Sequence, residues 1–497
     1  MSVSFGYKSL TLAVVAGLAA TTAQAAGLDR SGQDVTAFLQ DGTYAEFVYT
    51  YIDADVAGHD NGLASAGSKT EYTKGKEVGD GAEAYDFFRF GVKADVNDRI
   101  SVGVLYDEPF GAAVQYHGDN NFVSQGAAAT LTALYNSDTA AALRQGINQL
   151  NSTKDELTNN KTQLEQGIAA TIAAGGDARE LQEKLKVVNG GLDTVDQKLN
   201  AANSLAAQSA AAAANIAATS EAQKGEGTNV EIRTHNVTGL VGVKLGEKRN
   251  FQIYGGPALQ RLNGEVHLRG TAYQTAQGYD ARISTDTDIG WVAGIAYSKP
   301  EIALKAALTY RSEIEHETSI AESFPALDQV TARNFKVSLP ESYNLDFQTG
   351  INPTTLLTAK VRYVPWSDFE IRPPTYGDAS KRVNNNVALP IVSYEKDQWS
   401  AELGLGKKLN DKLAVSGSVG YDSGAGNPAT SLGPIKGYYS VGLGAKYNVT
   451  PEWSVSVGGK YLKFGDVTAT LPTGHIAGEF SDNDGYIAGV KLAYQAK

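Results

Sequence analysis

The sequence predicts an all-β protein, a transmembrane antiparallel β-barrel of about 14 strands that takes up residues 44–497. Three observations lead to this prediction. Apolar and polar residues alternate along most of the chain after residue 44, which is typical of strands with an apolar outer face and a polar inner face. Short turns alternate with long polar loops, as in outer-membrane barrels. No run of about 18 consecutive apolar residues follows the N-terminal segment, so no membrane-spanning helix is predicted.

The connections define the two ends of the predicted barrel. Short turns are predicted at residues 97–98, 246–250, 298–301, 352–355, 406–412 and 448–452. Long loops are predicted at about residues 58–82, 112–228, 263–286, 318–334, 372–390, 422–436 and 465–483. An even number of strands places both termini at the short-turn end, which is periplasmic in bacterial barrels. We therefore expect the protein in the outer membrane of a Gram-negative bacterium, with its long loops outside.

The clearest predicted hairpin spans residues 85–106. Phe88, Phe90 and Val92 share one face, whereas Arg89 and Lys93 share the other. One such hairpin would also fit the edge of a β-sandwich. The same alternation recurs through residues 289–494, with aromatic residues near the strand ends. Aromatic girdles at the two membrane interfaces explain that placement, so the recurrence favours the barrel.

Residues 1–25 are predicted to be a signal peptide for export. Lys8 supplies the positive start, residues 10–20 are apolar, and Ala23 and Ala25 form a small-x-small cleavage site. The alternative, a short membrane anchor, is disfavoured because the apolar stretch is too short to span a bilayer.

Composition excludes several classes of function. The net charge of −12 and the pI near 5.1 argue against a nucleic-acid partner. The absence of cysteine excludes a thiol nucleophile, a disulfide framework and a cysteine metal site. The six histidines form no His-x-x-x-His pair, and no Gly-x-Ser-x-Gly element occurs. The sequence therefore predicts a protein that is not an enzyme and that needs no cofactor or metal.

Residues 124–224 interrupt the strand pattern and predict an inserted α-helical hairpin in an extracellular loop. Apolar residues recur at helical spacing before residues 174–177, and a heptad seam follows from Leu181 to Leu199. Gly175 and Gly176 can turn the chain, and Asp177 can cap the second helix. The insertion is either an arm that binds an unknown partner or shields the surface, or a solvated and partly disordered spacer, and the sequence does not separate the two.

Several stretches resemble the long-chain fatty-acid outer-membrane transporter family, the FadL-like barrels. The sequence IGWVAGIAYSKPEIALKAALTYRSE covers residues 289–313, LPESY covers residues 339–343, and WSDF covers residues 366–369. Residues 439–494 also follow the spacing of the family. The resemblance implies a fourteen-stranded barrel with a short N-terminal luminal hatch at residues 26–43. It implies passive uptake of long-chain fatty acids or other hydrophobic compounds from the outer-membrane surface.

The resemblance also implies a lateral opening where the third strand is kinked, here at Pro109, Phe110 and Gly111. Pro109 cannot donate a ladder hydrogen bond and Gly111 permits an unusual bend; the alternative is that Pro109 only ends the strand. Phe38 and Leu39 are the hatch residues expected to plug the lumen. The segment is short and lacks the Asn-Pro-Ala element common in the hatch of the family.

A fatty acid needs a partner for its carboxylate, and arginine can bind a carboxylate through two hydrogen bonds. Arg311, Lys360 and Arg362 have the inward phase of their strands and are candidate substrate-binding residues. Arg372 is a further candidate by the resemblance, since it follows the WSDF element. The alternative for each is a luminal cation that pairs with a neighbouring carboxylate.

The remaining partners follow from the resemblance and the location. They are outer-membrane lipid and the barrel-assembly machinery, for which Tyr494 is the expected recognition aromatic. Three functions stay open at this point. The first is uptake of fatty acids or aromatic hydrocarbons, the second is a surface adhesin or structural barrel that acts through the helical arm, and the third is a general water-filled porin.

Overall fold

A computed structural model describes residues 28–63, 69–382 and 384–496, so the predicted signal peptide, residues 1–25, lies outside the described residues. Seventeen strand segments form one sheet, in which the first strand pairs with both the second and the last. Three pairs of these segments are successive parts of one wall strand. The described wall is therefore a closed antiparallel barrel of fourteen strands, which confirms the predicted fold class.

We number the wall strands β1–β14 in chain order. They are β1 Thr43–Asp55, β2 Tyr85–Asp95, β3 in two segments Ile100–Asp107 and Gly111–Gln115, β4 Asn229–Leu245, β5 Phe251–His267, β6 Asp280–Lys299, β7 in two segments Leu304–Arg311 and Ile314–Phe324, β8 in two segments Gln329–Leu339 and Ser342–Asn352, β9 Thr355–Val364, β10 Gln398–Lys408, β11 Leu413–Asp422, β12 Lys436–Asn448, β13 Trp453–Gly465 and β14 Asp484–Ala496.

The wall has polar residues inside and apolar residues outside. Glu46, Arg89 and Lys491 face the lumen and are buried, whereas Val241 and Leu443 are exposed on the outer surface. Strand residues alternate between the two faces, so the period-two pattern of the sequence becomes an apolar exterior around a charged interior. A charged interior and an apolar exterior are the reverse of a water-soluble protein and are the arrangement expected of a barrel in lipid.

Outward-facing aromatic residues form a belt on neighbouring strands. The ring centroids of Trp291 and Tyr310 are 5.0 Å apart, those of Tyr310 and Tyr343 are 5.0 Å apart, and those of Tyr363 and Trp399 are 4.5 Å apart. Tyrosine and tryptophan prefer the membrane–water interface because each has an apolar body and a polar tip. The belt therefore marks the outer interface of the bilayer.

The long connections fold into a cap at the end of the barrel opposite the short turns. The cap contains a five-stranded sheet and a two-stranded sheet, and a large cluster of buried apolar residues lies beneath them. The strands are Gly58–Asn61, Lys74–Val78, Ala429–Thr430, Val467–Thr470 and Ile476–Phe480 in the first sheet, and Glu370–Ile371 and Val392–Ser393 in the second. Short 3₁₀ helices lie at Thr271–Ala276, Pro325–Leu327 and Trp366–Asp368 on the cap side, and at Pro300–Ile302 in a short turn at the other end.

Two predicted loops are shorter in the structure. The loop expected at about residues 318–334 is a tight turn at Pro325–Leu327 between the long upper segments of β7 and β8. The loop expected at about residues 263–286 is reduced by the extension of β5 to His267 and of β6 from Asp280. Above the bilayer the outer face of a strand no longer needs apolar residues, so the alternation that reveals a strand is lost there.

A helical arm leaves the barrel between β3 and β4. It consists of α1 Ala127–Asn136, α2 Asp138–Ala173 and α3 Arg179–Ala222, and a fourth helix, α4, lies in the cap at Pro374–Lys381. At 1.5 Å per residue, α2 and α3 are about 54 Å and 66 Å long. They pack antiparallel, and Lys154 of α2 pairs with Asp196 of α3 at 2.7 Å. Among the described residues, no helix has the length and apolar character needed to cross a membrane.

Buried polar groups fix the base of the arm to the barrel. The hydroxyls of Ser124 and Ser220 lie 2.7 Å apart, and Thr130 donates to the Ser220 hydroxyl at 2.9 Å. The Gln277 amide, from the connection between β5 and β6, donates to Ser220 at 2.7 Å and to Thr130 at 2.9 Å. The base of the arm is therefore held in place by hydrogen bonds that water does not reach.

Candidate functional site

The N-terminal segment, residues 28–42, lies inside the barrel and contacts the inner face of its wall. Val35 and Phe38 have no exposed surface, and Leu39 is also buried. The Phe38 ring lies against lumen-facing glycines, because a Cβ atom on Gly103 would lie 2.7 Å from that ring and one on Gly242 would lie 3.0 Å from it. Gly103 of β3 and Gly242 of β4 have no side chains, and together they leave the depression in the inner wall that the Phe38 ring fills.

Arg362 of β9 holds the start of this segment. Its guanidinium donates to both oxygens of Asp29, at 2.6 Å from Nε and 3.0 Å from Nη2. It also donates to the Gln33 side chain at 3.1 Å and to Asn344 of β8 at 2.9 Å. Arg362 and Asp29 are both buried. A buried bidentate pair is strong only while both partners are present, because one partner alone would be a buried charge.

Lys360, two residues earlier on β9, holds the middle of the segment. Its ammonium donates to Asp34 at 2.8 Å, and Arg89 of β2 lies 3.5 Å from the same carboxylate. Burial favours the neutral acid, but the charges of Lys360 and Arg89 outweigh it and hold the pKa of Asp34 well below its ordinary value. Asp34 is therefore an anion fixed between two wall cations.

Further wall cations bind the backbone at the end of the segment. Lys305 of β7 donates to the carbonyl of Leu39 at 2.5 Å, and Lys93 of β2 donates to the carbonyl of Gly42 at 2.8 Å. Asp95 accepts from the Gly42 amide at 3.0 Å. The segment is thus attached to the wall along its length, at side chains and at the main chain.

Strand β3 is interrupted at residues 108–110, where the resemblance placed a lateral opening. The ladder between β2 and β3 runs from Asp95↔Ser101 to Phe90↔Tyr106 and stops there. At Phe110 the backbone carbonyl instead accepts a hydrogen bond from the side-chain hydroxyl of Thr234, at 2.7 Å. Among the described residues, no ladder pairs join residues 85–89 of β2 to β3. The β2–β3 ladder therefore has a gap above Phe90↔Tyr106, at Pro109 and Phe110, and β3 resumes its ladder with β4 at the pair Gly111↔Arg233.

The N-terminal segment covers this gap from inside. The Arg30 amide donates to the Pro109 carbonyl at 2.8 Å, and the Gly111 amide donates to the Leu28 carbonyl at 2.7 Å. Position 111 favours glycine, because a Cβ atom there would lie 2.7 Å from the backbone carbonyl oxygen of Ile232 and 2.7 Å from Arg30 Nε. The Arg30 guanidinium lies 3.2 Å from the centre of the Tyr85 ring, and burial lowers the pKa of Arg30 to about 10.

The four candidate substrate-binding residues have different surroundings. Lys360 and Arg362 pair with carboxylates of the N-terminal segment, which is the alternative that the sequence left open. Arg372 is about half exposed and pairs with Glu370 at 2.6 Å, apart from the luminal pairs. Arg311 is buried in β7 and donates to Thr238 at 3.0 Å. Its Nε atom has no hydrogen-bond partner, and no ion pair involves it, in the part of the chain that the structure describes.

Small cavities lie beside these ion pairs. One of about 60 Å³ is lined by Asp34, Lys360, Arg362 and Glu402, and another of about 40 Å³ is lined by residues that include Leu39 and Lys305. Neither is large enough for a long-chain compound. No group of three metal-ligating side chains occurs within residues 28–63, 69–382 and 384–496.

Comparison with known proteins identifies the family of this barrel. Residues 191–495, more than half of the chain, match the family model of the outer membrane protein transport proteins (OMPP1/FadL/TodX). The chain belongs to this family. No curated protein sequence matches it. Members of the FadL/TodX family are outer-membrane transport channels for hydrophobic compounds rather than enzymes, and they lie in the outer membrane of Gram-negative bacteria.

Solved structures with the same fold include two FadL/TodX-type barrels. A Pseudomonas aeruginosa FadL homologue aligns with a TM-score of 0.56 at 13% identity, over 91% of this chain and 90% of the homologue. A monoaromatic hydrocarbon channel, the TodX deltaS2S3 mutant, aligns with a TM-score of 0.52 at 11% identity, over 93% of this chain and 92% of the channel. At these identities the likeness shows the barrel fold and leaves the cargo of this FadL/TodX member open.

Sequence reasoning found the luminal cations but missed their partners. Asp29 and Asp34 were not recognised because the predicted hatch was judged by its apolar residues Phe38 and Leu39. The sequence did contain a signal for these partners. The segment that was expected to fill the lumen carries two carboxylates within six residues, and the wall around it was expected to present cations. Arg89 could have been paired with them, because the alternation of β2 already placed it on the polar face.

Proposed function

We propose that this protein mediates passive uptake of long-chain fatty acids or other hydrophobic compounds, with lateral release through the barrel wall at the interrupted strand β3. The observation that carries the proposal is Arg311, a buried luminal cation whose Nε atom has no hydrogen-bond partner and which has no carboxylate oxygen within 4 Å among the described residues. Buried guanidinium groups are normally paired. A cargo with one carboxylate supplies the missing partner.

Arg311 lies where cargo and N-terminal segment would compete. Its strand neighbour is Ser342, which donates to the Gln33 side chain at 2.6 Å. Gln33 also accepts from Arg362 at 3.1 Å. A cargo whose carboxylate reaches Arg311 therefore lies beside the ion pair of Arg362 with Asp29. The carboxylate of the cargo is the same chemical group as the side-chain carboxylates of Asp29 and Asp34. Exchange of one carboxylate for another on Arg362 or Lys360 releases the segment without an energy source.

The acyl chain has an apolar site to enter when the segment moves. Phe38 packs with Val35, Leu105, Leu240 and Tyr254 in a separate buried apolar cluster. Each methylene of a cargo that replaces Phe38 there contributes about 0.8 kcal/mol. The space vacated by one hatch side chain thus becomes a binding site for the tail.

Release at the side uses the gap at β3. The hydrogen bonds that cover it come from the N-terminal segment, at Arg30 N and Leu28 O. When the segment leaves the lumen, the cover at Pro109 and Gly111 leaves with it. The movement that opens the lumen therefore also uncovers a route from the lumen to the bilayer, and the two events are coupled by one segment.

Uptake by cells that lack other carriers tests the proposal. Cells that express the protein should take up labelled oleate faster than cells without it, and Arg311→Gln should slow oleate uptake at low concentration roughly 10–100-fold, since a hydrogen bond to a charged group is worth about 1.5–3 kcal/mol. Arg249→Gln, at an exposed turn pair with Asp98, is the matched control and should leave uptake unchanged.

Labelled toluene distinguishes the second cargo class. A neutral hydrocarbon gains nothing from Arg311, so its uptake should be equal in the wild type and in Arg311→Gln. Equal oleate uptake with and without the protein would contradict the function, whereas toluene uptake alone would retain the channel and replace its cargo.

A further inference from the structure

A groove opens on the outer surface of the barrel where β8 and β9 separate. Strands β7 and β8 are interrupted at the same height, between the pairs Arg311↔Ser342 and Ile314↔Leu339. Strand β9 ends at Val364, and its ladder with β8 stops at Tyr343↔Tyr363. Above this pair the two chains diverge and leave a groove of about 850 Å³. That volume is typical of sites for small organic molecules.

The groove lies in the aromatic belt at the outer interface of the bilayer. Tyr343, Tyr363 and Trp399 line it, and each belongs to the row of neighbouring outward-facing rings. Below the belt, the groove continues over Leu308 and Leu345, which are each 45% exposed on the lipid-facing wall. A molecule in the groove therefore meets aromatic faces at the interface and an aliphatic surface toward the bilayer core.

Among the described residues, the same groove is lined by three carboxylates and by no basic side chain. Glu341 accepts hydrogen bonds from Tyr310 at 2.5 Å and from Tyr343 at 3.2 Å. Glu313 and Asp368 are exposed and have no side-chain hydrogen bond or ion pair within the described ranges of the chain. Three carboxylates without a basic neighbour give this part of the interface a negative potential, which attracts a cation.

We propose that this groove binds an amphiphile with a cationic organic head group. The head group fits among Glu313, Glu341 and Asp368, where the faces of Tyr363 and Trp399 add cation–π attraction. The alkyl chain then follows the aliphatic surface into the bilayer. A fatty acid has the wrong charge for this groove, so the site is separate from the luminal one and does not depend on the proposed cargo. A bare divalent cation would leave the aromatic lining unused.

Quenching of tryptophan fluorescence by N-dodecylpyridinium tests the site, because the pyridinium head quenches only on contact. The protein is reconstituted in bilayers of neutral lipid and titrated with the probe. We expect saturable quenching that is lost in Trp399→Phe and weakened about tenfold in the double variant Glu313→Gln with Asp368→Asn. Glu452→Gln, which removes an exposed carboxylate beside the exposed Trp453, is the matched control and should leave the affinity unchanged.

Competition identifies the ligand chemistry. Dodecyltrimethylammonium should displace the probe, whereas dodecyl sulfate and dodecyl maltoside at equal concentration should not. Equal quenching in the double variant and the wild type, or equal competition by all three amphiphiles, would overturn the proposal in favour of simple partition into the bilayer. Full competition by millimolar Mg²⁺ would overturn it in favour of an inorganic cation site. Heat-dependent gel migration checks that each variant is a folded barrel.

Discussion

The buried pair of Arg362 and Asp29 should control whether the N-terminal segment stays in the lumen. The perturbation is Asp29→Asn, which keeps the size of the side chain and removes its charge. Asp29 has no exposed surface, and its two oxygens accept both hydrogen bonds of a bidentate arginine. The variant leaves Arg362 buried without a counter-charge at that position.

The expected cost follows from this geometry. Loss of one partner of a buried ion pair destabilises by about 3–5 kcal/mol. The wall strands keep their own hydrogen bonds, so the penalty acts on the attachment of residues 28–42 rather than on the barrel. A penalty of this size raises the fraction of molecules with a detached segment roughly 10²–10⁴-fold.

A single introduced cysteine reports the detachment, because the chain has no cysteine of its own. Ala37 is 3% exposed and lies against Gly91. In the Ala37→Cys background, a water-soluble maleimide should label the protein slowly when Asp29 is present and roughly 10²–10⁴-fold faster with Asp29→Asn, as the penalty above requires. Labelling of the unfolded protein gives the maximum rate.

Asp98→Asn is the control, since Asp98 makes an exposed pair with Arg249 at 2.9 Å. Exposed pairs contribute about 0–1 kcal/mol, so the labelling rate should change less than tenfold. The reasoning is refuted if Asp29→Asn labels no faster than Asp98→Asn. Combining Asp29→Asn with Arg362→Gln should restore part of the slow labelling, because the lone buried charge is then removed.

Three further predictions concern the gap, the pH dependence and the arm. Pro109→Val should slow transfer of oleate to the bilayer roughly fivefold, since one added ladder hydrogen bond is worth about 1 kcal/mol; Pro257→Val in β5 should not, and equal rates for the two variants would argue for another exit. Asp34 holds the N-terminal segment to the wall only when its carboxylate is ionised, and the pKa of this carboxylate is depressed. The attachment through Asp34 is therefore present at neutral pH and is lost only as the pH falls through that low pKa. Conductance in planar bilayers should therefore stay low from pH 7 to pH 4 and rise only in stronger acid, and a rise between pH 5 and pH 4 would contradict the ion-pair argument. Removal of residues 138–212 should leave oleate uptake unchanged, because the buried bonds of the arm lie at its base; lost uptake in a folded barrel would show that the arm takes part in transport.

The barrel could be predicted from the sequence because lipid imposes a strict pattern. Outward residues must be apolar wherever the wall meets the bilayer, so β2, β3 and β12 appear as period-two stretches. The helical arm was visible for a similar reason, since the packing of α2 on α3 requires apolar residues at alternating spacings of three and four.

The luminal attachments could not be predicted in the same way. Asp29 and Arg362 are 333 positions apart, and no local pattern joins them. The alternation of polar and apolar residues along the strand placed Arg362 on the inner face. Its partner could not be predicted, because the partner depends on how the N-terminal segment lies in the closed barrel. The interruptions at residues 312–313 and 340–341 were missed because polar residues on strands above the bilayer resemble a loop.

The proposed transport requires the N-terminal segment to move. A disulfide that ties this segment reversibly to the wall tests this requirement most directly. A Cβ atom on Gly91 would lie 2.9 Å from the Cβ of Ala37, so the pair Ala37→Cys and Gly91→Cys can form a disulfide after a shift of about 1 Å. Oleate uptake by cells with this variant should be blocked under oxidising conditions and restored by a reductant, while the cysteine-free protein is unaffected. Equal uptake with the disulfide formed and reduced would contradict the account.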